Sequence, residues 1–201
     1  MPPALFPAFI KLAGRPCVVV GAGTVAVSKV TSLLDSGAQV TVIAPHADKI
    51  IERLSATRKL RWLPRKFAAN DLTRAFLVIA ATSDPGVNRA VFREAQNRGI
   101  LCNSVDDPPN CDFYFPAVVR RGPLQIAIST SGESPALAQR IRLEIEESLH
   151  ESLGDWVEEI GEARRKILAV NPPSDDRKKL LHRLAQSDLA HSKATDLETQ
   201  P

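Results

Sequence analysis

Short apolar runs alternate with amphipathic stretches over the first hundred residues. Runs rich in β-branched residues fall at 17–20, 39–43, 60–63, 76–81 and 100–103. Between them the spacing of apolar positions predicts helices over 24–36, 46–57 and 85–98, with a short helical piece near 70–73. In the first of these, Val25, Ala26, Val30, Leu33 and Leu34 fall on one face, as a buried stripe requires. The last begins with Asp84 as a candidate N-cap and Pro85 at the first helical position, and stops at Gly99. Strand–helix alternation of this kind requires right-handed crossovers, hence an α/β domain with a doubly wound parallel sheet.

The pattern changes after residue 103. A loop rich in Asp, Pro and Asn covers 104–116, and two β runs at 117–120 and 124–129, joined by Arg121-Gly122-Pro123, read as a hairpin or a pair of edge strands. Ser134-Pro135 repeats the cap-then-proline signal, and a long helix is expected from there towards Leu153. Helical segments at about 155–170 and 174–186 flank the breaker Asn171-Pro172-Pro173, and the last fifteen residues are polar and expected to fray.

Composition narrows the class only modestly. The 201 residues are 44% hydrophobic and 24% charged, which fits a globular protein. No run reaches the roughly 18 to 20 apolar residues of a membrane helix, and the proline-broken N-terminus is a poor secretion signal. Cys17, Cys102 and Cys111 cannot all pair and form no CxxC, so a reducing cytoplasm is expected. Four scattered histidines show no ligand spacing, and no metal site is expected. The net charge of +3 hides an asymmetry: residues 1–143 hold 18 Lys/Arg against 10 Asp/Glu, and residues 144–201 hold 8 against 13. A basic front half suits an anionic ligand, although uneven solvated charge gives the same count.

The candidate chemistry clusters at the carboxyl ends of the predicted strands. Gly21-Ala22-Gly23-Thr24-Val25-Ala26 is GxGxxA between a strand and a helix. Its first glycine permits the tight turn and its second lets a pyrophosphate approach the backbone. The small third residue lets helix and strand pack closely. The acid that often ends the second strand and holds a ribose is missing, since the chain there reads Ile43-Ala44-Pro45-His46. No arginine stands there for a 2′-phosphate either, so this position does not decide between NAD and NADP. Thr82 and Ser83 follow the fourth strand on the nicotinamide side, yet Ser83 and Asp84 equally serve to start the next helix. Asp106 and Asp107 follow the fifth strand, where a carboxylate suits acid–base chemistry, and adjacent acids in a Pro-rich loop also suit a turn. Cys111 reads as a packed cysteine rather than a nucleophile.

Together these segments resemble the precorrin-2 dehydrogenases, which also form the N-terminal part of siroheme synthase. Four stretches carry the resemblance: Leu5-Phe6-Pro7 through Lys11-Leu12-Ala13-Gly14-Arg15; the loop Gly21 to Lys29, similar to the family's GGGxVAxxK; Val40 to Pro45, where the family also lacks the acid; and a central signature. That signature comprises Asn103-Ser104-Val105-Asp106, Phe115-Pro116-Ala117, and Ile128-Ser129-Thr130-Ser131-Gly132-Glu133-Ser134-Pro135-Ala136-Leu137-Ala138. Ser131 departs from it, standing where the family usually has glycine.

The resemblance implies an NAD-binding Rossmann-like domain over 1–112, a small α+β dimerisation region over 113–147 and a helical region with a frayed tail over 148–201. It implies hydride transfer from precorrin-2 to NAD⁺ with loss of protons, giving sirohydrochlorin, in the siroheme or cobalamin branch. Asp106 matches the family's proton-handling aspartate. Thr24, Val25, Pro45 and His46 match cofactor contacts, with Gly21, Gly23, Ala44, Thr82 and Ser83 beside them. Some members also insert Fe²⁺ or Co²⁺ into sirohydrochlorin, and the sequence does not separate these from members that only dehydrogenate. The family is homodimeric, and its last helices help to cover the substrate. Arg120, Arg121, Arg140 and Arg142 are candidate partners for the substrate's eight carboxylates, although solvated arginines read the same. Nothing here corresponds to the methyltransferase domain fused to some relatives, so precorrin-2 is expected from another protein. A non-catalytic NAD-binding sensor and a nucleic-acid binder are the competing classes. A sensor has no need of Asp106, and no aromatic-rich sheet supports nucleic acid.

Overall fold

In the computed structural model, which describes residues 5–186, β1 (Pro16–Val20) is apolar at every position after its proline. Val18, Val19 and Val20 are at most 5% exposed. A strand buried on both faces belongs inside a sheet covered on both sides. It pairs in parallel with β2 (Gln39–Ile43) and β4 (Leu77–Ala80); β3 (Arg61–Leu63) and β5 (Leu101–Ser104) complete the sheet, in the order β3-β2-β1-β4-β5. The order reverses between β1 and β4, the place where open α/β sheets bind ligands beyond their strand ends.

Alternate residues of the strands feed two cores. Cys17, Val19, Val40, Val42 and Ile79 pack with Ala26, Val30 and Leu33 of α1 (Thr24–Asp35) and Ile51 of α2 (Lys49–Ala56). Val18, Val20, Val78, Ala80 and Cys102 pack with Val91 and Ala95 of α3 (Pro85–Arg98) and with Leu72, which a single 3₁₀ turn (Ala69–Leu72) brings in. Fully burying such side chains stabilises by roughly 1.5–3 kcal/mol each, and this double layer holds the doubly wound fold together.

The boundaries differ from expectation in instructive places. α2 begins at Lys49 rather than His46, because the Asp48 carboxylate accepts the Ile50 N–H at 2.8 Å and fixes the first turn there. Val25 leaves the apolar stripe of α1 and is 50% exposed, with Leu34 only partly buried. The cap of α3 is as read: Asp84 accepts the N–H groups of Gly86 and Val87, Pro85 takes the first position, and Gly99 ends the helix at φ +64°.

The chain divides into two compact units, one up to Phe115 and one from Pro116. The second opens with an antiparallel hairpin, β6 (Ala117–Arg121) and β7 (Leu124–Ile128). α4 (Pro135–Ser148) follows, its Leu137 N–H capped by Ser134, then α5 (Leu153–Val170) and α6 (Asp175–Gln186). α4 stops short of Leu153 because Leu149 turns extended and the Arg121 guanidinium donates to the carbonyls of Glu146 (2.8 Å) and Leu149 (3.4 Å). Gly122 and Gly154 meet backbone to backbone: a Cβ on Gly154 would lie 2.8 Å from the Gly122 nitrogen. The expected fraying at 187–201 lies outside the described residues. Among the described residues no helix is long and apolar enough to cross a membrane.

Candidate active site

The glycine loop divides its labour between fold and ligand. Gly21 adopts φ +107°, and a Cβ there would lie 2.2 Å from the Ala81 carbonyl oxygen, so the crossing of β1 and β4 tolerates no side chain. Gly23 has an ordinary φ of −83°, and a Cβ on it would meet nothing within 4 Å. Packing therefore does not demand glycine at position 23, and the backbone there is left open. Ala26, the small third position, is fully buried against the sheet.

Gly23 is also the N-cap of α1, and no side chain caps that end, whereas α2 and α3 are capped by Asp48 and Asp84. Thr24 and Val25, both exposed, open the first turn. Free N–H groups and a positive dipole end suit the pyrophosphate of a dinucleotide. The residues present therefore fit the expected group. At the end of β2, Ala44 is buried, its N–H donated to Leu63 and its carbonyl accepting from Trp62 Nε1, while Pro45 and His46 are exposed. The loop is tied to its neighbour by the Asp48 N–H, which donates to the Ala22 carbonyl at 2.9 Å.

Beyond β4, Thr82 is committed locally. Its hydroxyl donates to Asn88 Oδ1 at 2.7 Å and accepts the Asp84 N–H, and the buried Asn88 amide returns a bond to the Thr82 carbonyl. Ser83 is exposed and makes no side-chain hydrogen bond among the described residues. Asn88 carried no sequence signal, since a polar residue one turn into a helix usually faces water.

Beyond β5 the chain folds back on itself. Asn103 Nδ2 donates to the Phe113 carbonyl at 2.8 Å, and Asp112 accepts from the Cys102 N–H and from Gln96. The Cys111 thiol donates to the Ser104 carbonyl, and burial pushes it above its ordinary range, as befits a packed cysteine. Of the two adjacent acids, Asp107 is the turn former: its carboxylate accepts from Asn110 at 2.7 Å. Asp106 stands exposed at φ +59°, its carboxylate without hydrogen bond or ion pair among the described residues. Ser104 beside it is 1% exposed, with an Oγ that finds no partner among the described residues.

Lys29 was visible only as the end of the glycine-loop motif. It sits on α1, one turn after Val25, with its ammonium 3.9 Å from the centroid of Phe115. Burial lowers its pKa, and the nearby Asp106 charge opposes that shift. Among the four arginines, Arg121 and Arg142 both engage Glu146, and Arg140 pairs with Glu144. Three of them are thus ion-paired within their own unit rather than free, and Arg120 has no ion-pair partner among the described residues.

A parallel sheet that reverses beside a bare, glycine-led helix N-terminus defines a Rossmann-type dinucleotide-binding protein. The family model described as "Putative NAD(P)-binding" matches residues 8–117, and that described as "Sirohaem biosynthesis protein central" matches residues 121–148. Siroheme synthase from Neisseria meningitidis serogroup C is 44% identical over 164 residues, 82% of this chain and 34% of that protein. Siroheme synthase 1 from Serratia proteamaculans is 44% identical over 161 residues, 80% of this chain and 34% of that protein. The chain thus spans about a third of the length of the curated relatives it matches. A solved structure described as SirC, precorrin-2 dehydrogenase, superposes with a TM-score of 0.78 at 30% identity, covering 90% of this chain and 89% of that one. This chain belongs to the NAD(P)-binding precorrin-2 dehydrogenase family.

Proposed function

We propose that the protein oxidises precorrin-2 to sirohydrochlorin with NAD⁺, on the route to siroheme or cobalamin. The observation that carries this reading is the free carboxylate of Asp106 at the carboxyl edge of a dinucleotide-binding sheet. Its neighbours Asp107 and Asp112 are spent on holding the loop, so the fold leaves one acid for chemistry. The likeness to a precorrin-2 dehydrogenase over 89% of that chain supports the same substrate.

The reaction removes two hydrogens from the tetrapyrrole, one as hydride and one as a proton. The nicotinamide, when bound, accepts the hydride. Gly21 shapes the turn, and Gly23, Thr24 and Val25 offer backbone N–H groups and an open surface to the pyrophosphate. Ala44, Pro45 and His46 border the ribose, with no acid to select NAD over NADP. Ser83, with Thr82 fixed behind it by Asn88, lies on the nicotinamide side. Asp106, exposed and unclaimed by the loop, takes the proton.

The domain assignment extends the two units to three roles: nucleotide binding over 1–112, dimerisation over 113–147 and a helical region over 148–201. The hairpin's outer edges carry no partner strand among the described residues, and Leu137 and Leu143 of α4 are 40% and 49% exposed, which supports assembly as a homodimer. Mass measurement by light scattering reads that state.

The test mixes the protein anaerobically with precorrin-2 and NAD⁺ and follows NADH and sirohydrochlorin by absorbance. Asp106→Asn keeps the left-handed backbone, which Asn also tolerates, and is expected to lower kcat by about 10²-fold or more while NAD⁺ binding stays unchanged. Wild-type turnover in the variant would sink the assignment. NAD⁺ binding without any wild-type turnover would favour the sensor reading. Adding Fe²⁺ or Co²⁺ as a substrate after dehydrogenation tests whether Asp106 also receives the pyrrole protons as metal enters the macrocycle.

A further inference from the structure

Lys29 is a cation without an assigned task. Its position on α1 follows Val30 and Ala26 only in part: those two are fully buried, whereas Lys29 lies at the border of the helix, half-buried, on the same face as exposed Val25. Its ammonium has one side covered by the Phe115 ring at 3.9 Å. Phe115 is itself held by Phe113, whose ring centroid is 5.6 Å away at a 60° tilt. The Phe113 carbonyl is anchored in turn by Asn103 of β5. The ring beneath the ammonium is therefore part of the folded-back loop that carries Asp106.

No hydrogen bond or ion pair takes up the three ammonium N–H donors among the described residues. Asp106 is near enough for the charges to feel each other, yet the pair does not close into a salt bridge. A partly desolvated cation with unused donors gains from an arriving anion. Arg15, by contrast, is a stacked structural cation, 5.0 Å over Phe76, and three arginines of the second unit are already paired.

We propose that Lys29 is a substrate-binding residue that grips one carboxylate of the polycarboxylate tetrapyrrole and so sets the adjoining ring edge against Asp106. The inference rests on the dehydrogenase reading for the nature of the ligand. It deepens that reading by naming a specificity determinant on the nucleotide domain itself. A ligand suited to the pair carries an anion close to the atom that gives up its proton. A tetrapyrrole, with acetate and propionate arms flanking its bridging carbons, has that arrangement.

The probe is uroporphyrin, a stable fluorescent octacarboxylate, titrated by fluorescence into wild type, Lys29→Met and Lys29→Arg at low and high salt. Lys29→Met is expected to weaken binding about tenfold or more and to flatten the salt dependence, with Lys29→Arg restoring most of both. NAD⁺ affinity and thermal stability should not move. In the precorrin-2 assay the same variant should raise KM far more than it lowers kcat. Equal uroporphyrin binding by Lys29→Met and wild type overturns the proposal, as does wild type that fails to bind the probe. A Lys29→Met that loses NAD⁺ binding in parallel overturns it too, by revealing a structural role. Wild-type turnover of precorrin-2 judges the dehydrogenase reading separately, because the probe titration requires no catalysis.

Discussion

The two glycines of the loop make opposite predictions from one motif. Alanine at Gly21 meets the Ala81 carbonyl oxygen at 2.2 Å and its carbon at 2.5 Å, at a φ of +107° that side chains rarely adopt. Holding an alanine in that conformation costs about 1–3 kcal/mol. Relieving the overlap means moving a strand end by about an ångström, against backbone only. That movement endangers the bonds Ala81 N–H to Val20 (2.7 Å) and Gly21 N–H to Ile43 (2.9 Å), each worth about 1 kcal/mol. The sum is about 3–5 kcal/mol, or a fall in Tm on the order of 10 °C for a chain this long. Alanine at Gly23 meets no atom within 4 Å at an ordinary φ, so its stability should change by less than about 1 kcal/mol. Its methyl group would instead stand where the pyrophosphate approaches, and NAD⁺ affinity should fall at least about tenfold. Calorimetry supplies both readouts, melting for one variant and NAD⁺ titration for the other. A Gly23→Ala that binds NAD⁺ like wild type, or a Gly21→Ala that melts with it, would refute this division.

Three further outcomes follow from the geometry. Ser131 is held at φ +55°, so Ser131→Gly should stabilise the protein by about 0.5–1 kcal/mol in urea unfolding, since relief of strain outweighs the added freedom of the unfolded chain. The Arg65 guanidinium, through its hydrogen bonds, holds the Asp71 carboxyl below its usual range, so its folded-state pKa is the depressed one. The stability this provides is complete above the ordinary carboxylate range and is lost as pH falls through the lower value; Asp71→Asn should flatten the decline of stability below about pH 4. Burial pushes the Cys17 thiol to about 11 and the Cys102 thiol to about 12, so a thiol reagent at pH 8 should leave both unlabelled in the native protein and reach all three cysteines in denaturant.

The parts legible in the sequence were those decided locally. β1, the glycine loop and α1 announce themselves because a doubly buried strand has no polar residue to hide and Gly21 has no substitute. Asp84-Pro85 and Ser134-Pro135 mark their helices because capping is a matter of neighbours in the chain. What depended on distant residues was hidden. The end of α4 is set by the Arg121 guanidinium from the hairpin, and Glu146-Glu147-Ser148-Leu149 contains no breaker to reveal it. Asp106 and Asp107 look alike in sequence; Asn110 separates them by claiming one. The spacing of Val25 fits the stripe, yet in the first turn it is its neighbour Ala26 that is buried while Val25 stays half exposed. Lys29 and Phe115 lie 86 positions apart (115 − 29), and only the return of the loop along β5 brings them together.

The contact between Gly122 and Gly154 limits how this chain can vary. Because each glycine occupies the room a Cβ on the other would need, neither can change alone, and no exchange of the two for a larger pair restores the fit. Spacing is constrained with identity. Sliding α5 by one residue past the hairpin turn would bring Leu153 or Asp155, each bearing a side chain, to the place Gly154 holds, a rotation of about 100° around the helix. The turn at 122 and the register of α5 are therefore locked to each other, whereas a change of length in the loops at 129–134 or 149–152 leaves that register untouched.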